Sequence, residues 1–327
     1  MRAWQVPELG EPSQVLTAVE TDIPEPGPGQ VVVKTRATAS NFPDVLMCRG
    51  KYQVRPDLPF TPGVELCGDV TAVGEGVEGL AVGDRVYGTS ELPYGGFAEY
   101  AVLSAATCFP APESLDDGQA ASLFIGYQTA WFALHRRTQL KAGETLLVHA
   151  AAGGVGSAAI QIGKAAGARV IGVVGGPDKA EVARQLGADA VVDRHSEDFV
   201  AVVKEETGGR GADVVFDPVG GDTYRRSTKC IAFEGRIVVI GFAGGEIQEV
   251  ALNHALIKNY SILGLHWGLY NTFDPAAVRH CHEELTSLAD EGKVAPLVSE
   301  HLSFDEVPDG LQRLADGTTV GRVVYQA

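Results

Sequence analysis

The sequence has few cysteines, and their positions exclude two common kinds of structural site. The five cysteines follow no regular spacing, and no two of them form a C-x-x-C pair. A disulfide framework or a zinc cluster is recognised by paired cysteines at characteristic short spacings. We therefore predict reduced, mostly buried thiols in a cytoplasmic protein. The cysteines are Cys48, Cys67, Cys108, Cys230 and Cys281.

The chain also lacks a long apolar run and a basic patch. No stretch approaches the uninterrupted apolar length that spans a bilayer, and the N-terminus has no apolar core typical of a secretory signal. The formal net charge of −16 repels nucleic-acid phosphates, and the sequence has no dense cluster of Lys and Arg that would offset it. The sequence therefore predicts a cytoplasmic protein without a membrane segment and without a nucleic-acid partner.

A glycine-rich turn is the most informative feature that the chain does have. An apolar run leads into Ala152-Gly153-Gly154-Val155-Gly156, and an amphipathic segment of helical period follows. A strand, a glycine turn and a helix in this order are typical of dinucleotide binding. We expect Gly153 to allow a tight turn, and Gly154 and Gly156 to let the backbone and the helix approach a pyrophosphate. The fit to G-x-G-x-x-G is imperfect, because Ala151 stands at the first glycine position.

The residues after the next apolar segment indicate which dinucleotide binds. NAD enzymes usually place Asp or Glu about 20 residues after the fingerprint, where it accepts a hydrogen bond from the ribose 2′-hydroxyl. This chain has Gly175 and Gly176 there, Lys179 just beyond, and Arg194 after the following apolar segment. Glycines leave room for a 2′-phosphate and the cations attract it, so we predict NADPH. The alternative is that Lys179 and Arg194 are solvated surface cations.

The order of predicted elements divides the 327 residues into three parts. Short strands separated by Gly and Pro predict a compact, barrel-like domain over residues 1–122. Alternating strands and helices over residues 123–266 predict a doubly wound parallel sheet. We expect residues 267–327 to return to the first domain. The predicted strands are 30–37, 65–74, 83–88, 169–174, 213–216, 236–240, 261–265 and 321–325, and the predicted helices are 120–134, 178–186 and 275–291.

Seven motifs spread over nearly the whole chain resemble a known superfamily. They are Asn41-Phe42-Pro43-Asp44, Gly50-Lys51-Tyr52, Pro62-Gly63-Val64-Glu65-Leu66-Cys67-Gly68, Val82-Gly83-Asp84-Arg85-Val86, Gly96-Phe97-Ala98-Glu99-Tyr100, Gly126-Tyr127-Gln128-Thr129-Ala130 and the glycine-rich turn. With them the chain resembles the medium-chain dehydrogenase/reductase superfamily, and within it the zinc-independent quinone oxidoreductase (zeta-crystallin-like) branch. The resemblance implies an α/β fold: a GroES-like, β-rich catalytic domain and an NADP-binding Rossmann domain with a doubly wound parallel sheet.

The same comparison argues against a metal. Zinc-dependent members of the superfamily carry a cysteine ligand where this chain has Ser40-Asn41-Phe42, and Gly-His-Glu where it has Gly63-Val64-Glu65. They also hold a four-cysteine loop near the region after Glu91, which has no counterpart here. Catalytic zinc needs three good protein ligands and an open position. We therefore expect a metal-free site with NADPH as the cofactor.

Without a Lewis acid, the predicted chemistry is hydride transfer from NADPH to a conjugated acceptor, with protein donors aimed at the oxygen that gains charge. By resemblance, Asn41, Asp44 and Tyr52 line the site near the nicotinamide, and Asn41 and Tyr52 are the donor candidates. Thr129 matches a threonine that approaches the nicotinamide from the Rossmann side. Each of the first three has an alternative: Asn41 caps a turn before Pro43, Asp44 is structural, and Tyr52 packs its ring.

Two further strand ends complete the predicted cofactor site. Gly241 and Phe242 follow one predicted parallel strand, and Leu265 ends another. In open parallel sheets, ligands bind at the carboxyl ends of the strands. We therefore expect the nicotinamide end of the cofactor there.

These features favour an NADPH-dependent quinone oxidoreductase that acts on a quinone or similar conjugated carbonyl. One alternative is an NADPH-dependent enoyl thioester or enone reductase, in whose relatives a proton-donor tyrosine falls on the position of Tyr52. The other is a non-catalytic, crystallin-like NADPH-binding protein. Relatives usually form homodimers by joining Rossmann sheets, and we expect the alternating segment Ile247–Ala251 to supply that edge. The physiological acceptor stays open.

Overall fold

The computed structural model describes residues 1–326, and the chain divides into two compact units. Unit 1 contains Met1–Ile125 and the segment from Ala295 onward, and unit 2 contains Gly126–Val294. The chain returns to unit 1 at residue 295, whereas the sequence-based boundary stands at residue 267. The physical reason is that helix Pro275–Asp290 packs within unit 2, where Glu284 accepts a hydrogen bond from the Trp131 indole nitrogen (2.6 Å).

The strands and helices have the following bounds. The strands are β1 (Arg2–Gln5), β2 (Thr17–Glu20), β3 (Gln30–Ala39), β4 (Glu65–Val73), β5 (Arg85–Ser90), β6 (Tyr100–Pro110), β7 (Thr145–His149), β8 (Arg169–Val174), β9 (Ala190–Asp193), β10 (Ala212–Asp217), β11 (Ile231–Val239), β12 (Ser261–Gly264), β13 (Val298–Leu302) and β14 (Arg322–Gln326). The α-helices are α1 (Pro12–Val15), α2 (Phe42–Cys48), α3 (Asp117–Trp131), α4 (Gly154–Ala165), α5 (Pro177–Gln185), α6 (Phe199–Glu206), α7 (Gly221–Ser227), α8 (Leu252–Lys258), α9 (Tyr270–Phe273), α10 (Pro275–Asp290) and α11 (Val307–Ala315). A π-helical turn follows α3 at Phe132–Arg137, and 3₁₀ turns lie at Trp267–Leu269 and Phe304–Glu306.

Unit 1 is built on a closed antiparallel sheet. Strands β3 to β6 pair in sequence, and β6 pairs back onto β3, which closes a small barrel. Side chains of period two, such as Val31 and Val33 of β3, fill it together with Leu66, Val86 and Leu103. Strand β14 extends the sheet antiparallel to β3, and β13 runs parallel to β14. This is the β-rich domain that the sequence predicts.

Unit 2 is a six-stranded, fully parallel sheet in the order β12-β11-β10-β7-β8-β9. Counted from β7, this is the 3-2-1-4-5-6 order of the dinucleotide-binding fold, in which the strand order reverses between β7 and β10. Strands β7 and β8 are buried nearly throughout, as parallel strands covered on both faces must be. The predicted doubly wound sheet is confirmed.

The expectation that Ile247–Ala251 supplies a sheet edge is wrong. The segment is irregular, and β12 forms the edge of the parallel sheet on that side. The physical reason is that Gln248 turns inward: its Oε1 accepts a hydrogen bond from the Gly221 N–H (3.0 Å). The alternating segment therefore covers the loop after β10 instead of pairing as a strand.

The predicted state of the cysteines is confirmed. All five are buried, and none forms a disulfide within residues 1–326. Burial raises the pKa of the Cys48, Cys67, Cys108 and Cys230 thiols to about 12, which keeps them neutral. Within the same residues, no helix has the length and apolar character needed to cross a membrane.

Candidate active site

The start of helix α2 carries two of the predicted site residues. Asn41 is the N-cap residue of α2, and its backbone N–H donates to Asp44 Oδ2 (2.9 Å). The other oxygen of Asp44 accepts from the backbone N–H groups of Gly63 (2.8 Å) and Val64 (3.1 Å). Burial raises the pKa of Asp44 to about 6, although these backbone donors and Arg322 act in the opposite direction. Asp44 therefore fastens the start of α2 to the loop that precedes β4.

The side chain of Asn41 is fully engaged within unit 1. Its Nδ2 donates to the Ala39 carbonyl (3.1 Å) and to Glu65 Oε1 (2.9 Å). Its Oδ1 accepts from both terminal nitrogens of Arg322, each at 3.1 Å. Asn41 stands at the N-cap position of α2, but its side chain makes no cap hydrogen bond there. Its role as a donor to substrate stays a prediction.

Glu65 is the centre of this buried network. It is fully buried, and its Oε1 accepts both the Asn41 amide and the Arg322 guanidinium in an ion pair. Its Oε2 accepts the backbone N–H of Ile125 (2.7 Å). Burial lowers the pKa of Arg322 to about 10, yet the side chain stays charged at neutral pH. One carboxylate therefore joins β4, β14, the start of α2 and α3.

Tyr52 differs from Asn41 in its hydrogen bonding. Its ring is half-buried and packs on the apolar cluster that contains Val45, Phe60 and Phe97. Burial, and next the charge of Asp44, raise the pKa of the Tyr52 hydroxyl. No side chain or backbone group within residues 1–326 hydrogen-bonds this hydroxyl. Tyr52 thus keeps its proton at neutral pH, and its donation to a substrate stays a prediction.

In unit 2, the glycine-rich turn lies between β7 and α4. A tight turn spans Ala150 to Gly153, whose N–H donates to the Ala150 carbonyl (2.9 Å), and its left-handed residue is Ala150 (φ 50°), whereas Gly153 has an ordinary φ of −86°. Gly156 is required for packing, because a Cβ there would lie 2.2 Å from the Ala150 carbonyl oxygen. No side chain within residues 1–326 caps the N-terminus of α4. Its first N–H groups suit a pyrophosphate.

Predicted phosphate-binding cations gather at the end of β8. A Cβ on Gly175 would lie 3.0 Å from Arg194 Nε, so the guanidinium lies directly against this glycine. Partial burial and next the charge of Arg194 lower the pKa of Lys179. The following Gly176 has a φ of 98°, a conformation that glycine adopts without strain. The structure thus places Arg194 against Gly175, with Lys179 on the adjoining helix α5, and their binding of a 2′-phosphate stays a prediction.

His195 adjoins the same glycine and was missed by the sequence reasoning. Its Nε2 lies 3.2 Å from the position of a Gly175 Cβ. The backbone N–H groups of His195 (3.0 Å) and Gly176 (2.9 Å) both donate to Asp193 Oδ1. The signal in the sequence was its place directly after Arg194.

The remaining predicted cofactor residues follow β11 and β12. Leu265 donates its N–H to the Val239 carbonyl (3.1 Å), so the ends of both strands are held together. Gly241 and the partly exposed Phe242 continue from β11. Because the strands are parallel, these residues, the glycine turn and Gly175 share the carboxyl edge of the sheet.

Thr129 lies in the part of α3 that belongs to unit 2, and it is nearly buried. The neighbouring Gln128 accepts a hydrogen bond from the Trp267 indole nitrogen (3.2 Å). Trp267 follows β12 directly, at the same edge of the sheet as Leu265. The structure thus connects the helix segment of Thr129 to the carboxyl end of β12.

Asp217 is a second residue that the sequence reasoning missed. It ends β10 at the carboxyl edge and is fully buried. Its Oδ1 accepts from the N–H groups of Val219 (2.9 Å) and Gly220 (3.0 Å), whereas its Oδ2 has no hydrogen-bond partner within residues 1–326. The signal for it was a carboxylate directly after a buried apolar strand.

Two domain families match the chain. Residues 27–113 match the alcohol dehydrogenase GroES-like domain, and residues 154–283 match the domain family described as zinc-binding dehydrogenase. A quinone oxidoreductase-like protein 2 homolog from Nematostella vectensis is 38% identical over 99% of this chain and 88% of its own length. The chain belongs to the quinone oxidoreductase branch of the medium-chain dehydrogenase/reductase superfamily.

Solved structures of the superfamily have the same fold. Escherichia coli quinone oxidoreductase, crystallised with NADPH, is 32% identical to this chain, covers 100% of both chains and has a TM-score of 0.92. A probable oxidoreductase from Mycobacterium abscessus is 37% identical, covers 100% of this chain and 99% of its own, and has a TM-score of 0.90. The GroES-like and Rossmann domains expected from the resemblance are confirmed.

This chain has Ser40-Asn41-Phe42 where zinc-dependent members of the superfamily carry a cysteine ligand, and Val64 where they carry a histidine. The backbone N–H groups of Asn41 and Val64 both donate to Asp44. Throughout residues 1–326 there is no group of three or more His, Cys, Asp or Glu side chains that could hold a metal ion.

We predict that Glu65→Gln lowers the free energy of unfolding by about 3–5 kcal/mol, because Arg322 is left buried without a counter-charge. Chemical denaturation followed by circular dichroism measures the loss. Glu300→Gln is the matched control, because it breaks the exposed pair with Arg313 and should cost about 1 kcal/mol or less. Equal losses in the two variants would contradict the prediction.

Proposed function

We propose that this protein transfers hydride from NADPH to a quinone or a similar conjugated carbonyl. The observation that carries the proposal is the end of β8, where Gly175 stands in place of a carboxylate and Arg194 and Lys179 adjoin it. The NADPH bound to the related Escherichia coli quinone oxidoreductase supports the same choice of cofactor. NADPH, when bound, supplies the hydride, and the protein supplies binding and a proton.

Binding of the cofactor would use the carboxyl edge of the unit 2 sheet. The free N–H groups of α4 and the close approach allowed by Gly156 fit a pyrophosphate. Lys179 and Arg194 fit the 2′-phosphate, since charge-assisted hydrogen bonds to phosphate are strong. Glycines at the strand ends leave room for the backbone to approach. The residues proposed to bind the cofactor are Ala152, Gly153, Gly154, Val155, Gly156, Gly175, Gly176, Lys179, Arg194, Gly241, Phe242 and Leu265, with Thr129 beside the nicotinamide.

The residues of unit 1 would serve the acceptor. We assign the proton to Tyr52, because its hydroxyl has no hydrogen-bond partner within residues 1–326 and is therefore available to a ligand. Asn41 and Asp44 would act by position, since their polar atoms hold the start of α2 and the loop at Gly63. Reduction of a conjugated carbonyl adds hydride to carbon and a proton to the oxygen that gains charge, and a neutral tyrosine meets the second need.

The test of this function is NADPH oxidation by the purified, metal-stripped protein, followed at 340 nm with a panel of quinones, enones and enoyl thioesters. We expect turnover of quinones. Preference for enoyl thioesters would instead select the enone or thioester reductase, and NADPH binding without any turnover would select the non-catalytic protein.

Tyr52→Phe is the variant that accompanies this assay. If Tyr52 donates the proton, its loss should lower kcat by roughly a hundredfold with acceptors whose product needs that proton. The Kd for NADPH should not change, because Tyr52 is not assigned to the cofactor. An unchanged kcat would show that Tyr52 packs its ring and does not donate the proton.

For the choice of cofactor, we predict that Lys179→Ala/Arg194→Ala weakens NADPH binding by at least tenfold, because each charged contact to phosphate contributes about 1.5–3 kcal/mol. Quenching of tryptophan fluorescence by NADPH and by NADH gives the two Kd values. NADH, which lacks the 2′-phosphate, should bind as before. Lys141→Ala/Arg184→Ala removes the same charge elsewhere in unit 2 and should change neither Kd; unaltered NADPH binding in the first variant would refute the assignment.

We further propose a cytoplasmic homodimer that forms through α8 and the edge strand β12. Helix α8 buries none of its residues, and Leu252, Leu256 and Ile257 on it are each more than 70% exposed. Exposed apolar patches and unpaired strand edges mark association surfaces. The reduced state of the five cysteines suits the cytoplasm.

We predict a mass in light scattering of about twice the 34.4 kDa of one chain. Leu256→Glu/Ile257→Glu should give the mass of one chain, because the charges oppose burial of this face. The control Leu9→Glu changes an exposed apolar residue of unit 1 and should leave the mass unchanged. A wild-type protein with the mass of one chain would contradict the proposal.

A further inference from the structure

Unit 2 contains a pocket at the edge of its sheet opposite to the candidate cofactor site. The pocket has a volume of about 380 Å³ and opens beside the amino ends of β10 and β11. Because parallel strands point the same way, this edge is separate from the one that carries Gly175 and the glycine-rich turn. The lining residues are Lys204, Gly209, Arg210, Gly211, Lys229, Cys230, Ile231, Phe233 and Lys258.

The charge of this pocket is opposite to that of the protein. The chain has 42 acidic and 26 basic residues, yet all four charged residues that line the pocket are cations: Lys204, Arg210, Lys229 and Lys258. Within residues 1–326, the three lysines have no carboxylate at ion-pair distance, whereas Arg210 pairs with Asp213. Like charges that converge without counter-charges repel one another, so an anion would stabilise them.

The helix dipole explains part of this arrangement. Lys204 lies in the last turn of α6 and Lys258 in the last turn of α8, where cations interact favourably with the free carbonyl groups. That preference is satisfied separately at each helix end. It does not require Lys229 and Arg210, which lie outside helices, to line the same pocket.

A glycine loop fixes one wall of the pocket. Gly209 and Gly211 have φ values of 86° and 93°, and a Cβ on Gly211 would lie 2.6 Å from the Cys230 carbonyl oxygen. The Gly211 N–H donates to Thr207 Oγ1 (2.8 Å), and Arg210 Nη2 donates to Thr145 Oγ1 (3.3 Å). The loop therefore holds Arg210 in place at the wall, although the side chain is exposed.

The floor of the pocket is apolar and carries no negative charge. Cys230 and Ile231 are buried there, and the raised pKa of Cys230 keeps its thiol neutral. The ring of Phe233 is 71% exposed beside them. A small anion that enters thus meets cations at the rim and no competing carboxylate among the lining residues.

We propose that this pocket binds a compact polyvalent phosphate anion, of which inorganic pyrophosphate is the simplest example. The three lysines without a carboxylate partner attract its charge, and the pocket volume admits it. The proposal does not rest on the assigned oxidoreductase activity, because none of the lining residues belongs to the candidate active site.

The test is isothermal titration of the full chain with sodium pyrophosphate at low ionic strength, with and without saturating NADPH. We expect saturable binding with a Kd below about 1 mM that weakens as salt is added and is unchanged by NADPH. Lys204→Gln/Lys229→Gln/Lys258→Gln should weaken binding by roughly tenfold or more. Lys34→Gln/Lys141→Gln/Lys293→Gln is the matched control, since it removes the same charge from exposed positions elsewhere and should change the Kd less than about twofold.

Four results would overturn the proposal. Absence of saturable binding would show that the cations are only solvated, and equal weakening in both triple variants would show an effect of net charge alone. Unchanged binding after the loss of the three pocket lysines would show that pyrophosphate binds at another site. Competition with NADPH would assign the pyrophosphate to the cofactor site. Circular dichroism of both variants confirms that each is folded.

Discussion

The GroES-like unit depends on one buried ion pair between Glu65 and Arg322. These residues are 257 positions apart in the chain, and the pair joins strand β4 to strand β14. Asp44 holds the loop that precedes β4. Removal of either charge leaves the other uncompensated in a buried site, which costs far more than an exposed pair. Asn41 bonds to both partners, so the geometry of a predicted site residue follows from the pair.

In the Rossmann unit, the constraint is the common direction of six parallel strands. Each strand ends at the same edge, so residues that are far apart in sequence, such as Gly156, Arg194 and Leu265, share that edge without direct bonds between them. The opposite edge collects the helix C-termini and their cations. The direction of the strands therefore gives the two edges different backbone groups: one has the free N–H groups at the start of α4, and the other has the C-terminal ends of α6 and α8 with Lys204 and Lys258.

How far the sequence predicted this structure depends on the range of each interaction. Strand β8 was placed at its bounds because an uninterrupted apolar run is a local signal, and Gly175 with Lys179 and Arg194 follows from spacing. The prediction that Ile247–Ala251 forms a sheet edge was wrong, because the alternating polarity of the segment does not reveal the hydrogen bond from the Gly221 N–H to Gln248. The left-handed φ of Ala150 in the turn that ends at Gly153 was not predicted, because alanine carries no signal for that conformation. The Glu65–Arg322 pair has no local signal at all.

The two donor candidates of unit 1 illustrate how a structure separates residues that a motif treats alike. The side-chain amide of Asn41 donates to Ala39 and Glu65, and its oxygen accepts from Arg322. Donation to a substrate would therefore break a hydrogen bond in a buried network. Tyr52 has a ring anchored in an apolar cluster and a hydroxyl with no partner among the described residues. The burial that holds the Tyr52 ring also raises the pKa of its hydroxyl, so the hydroxyl stays protonated at neutral pH. For this reason we propose Tyr52 as the proton donor and Asn41 as a positioning residue.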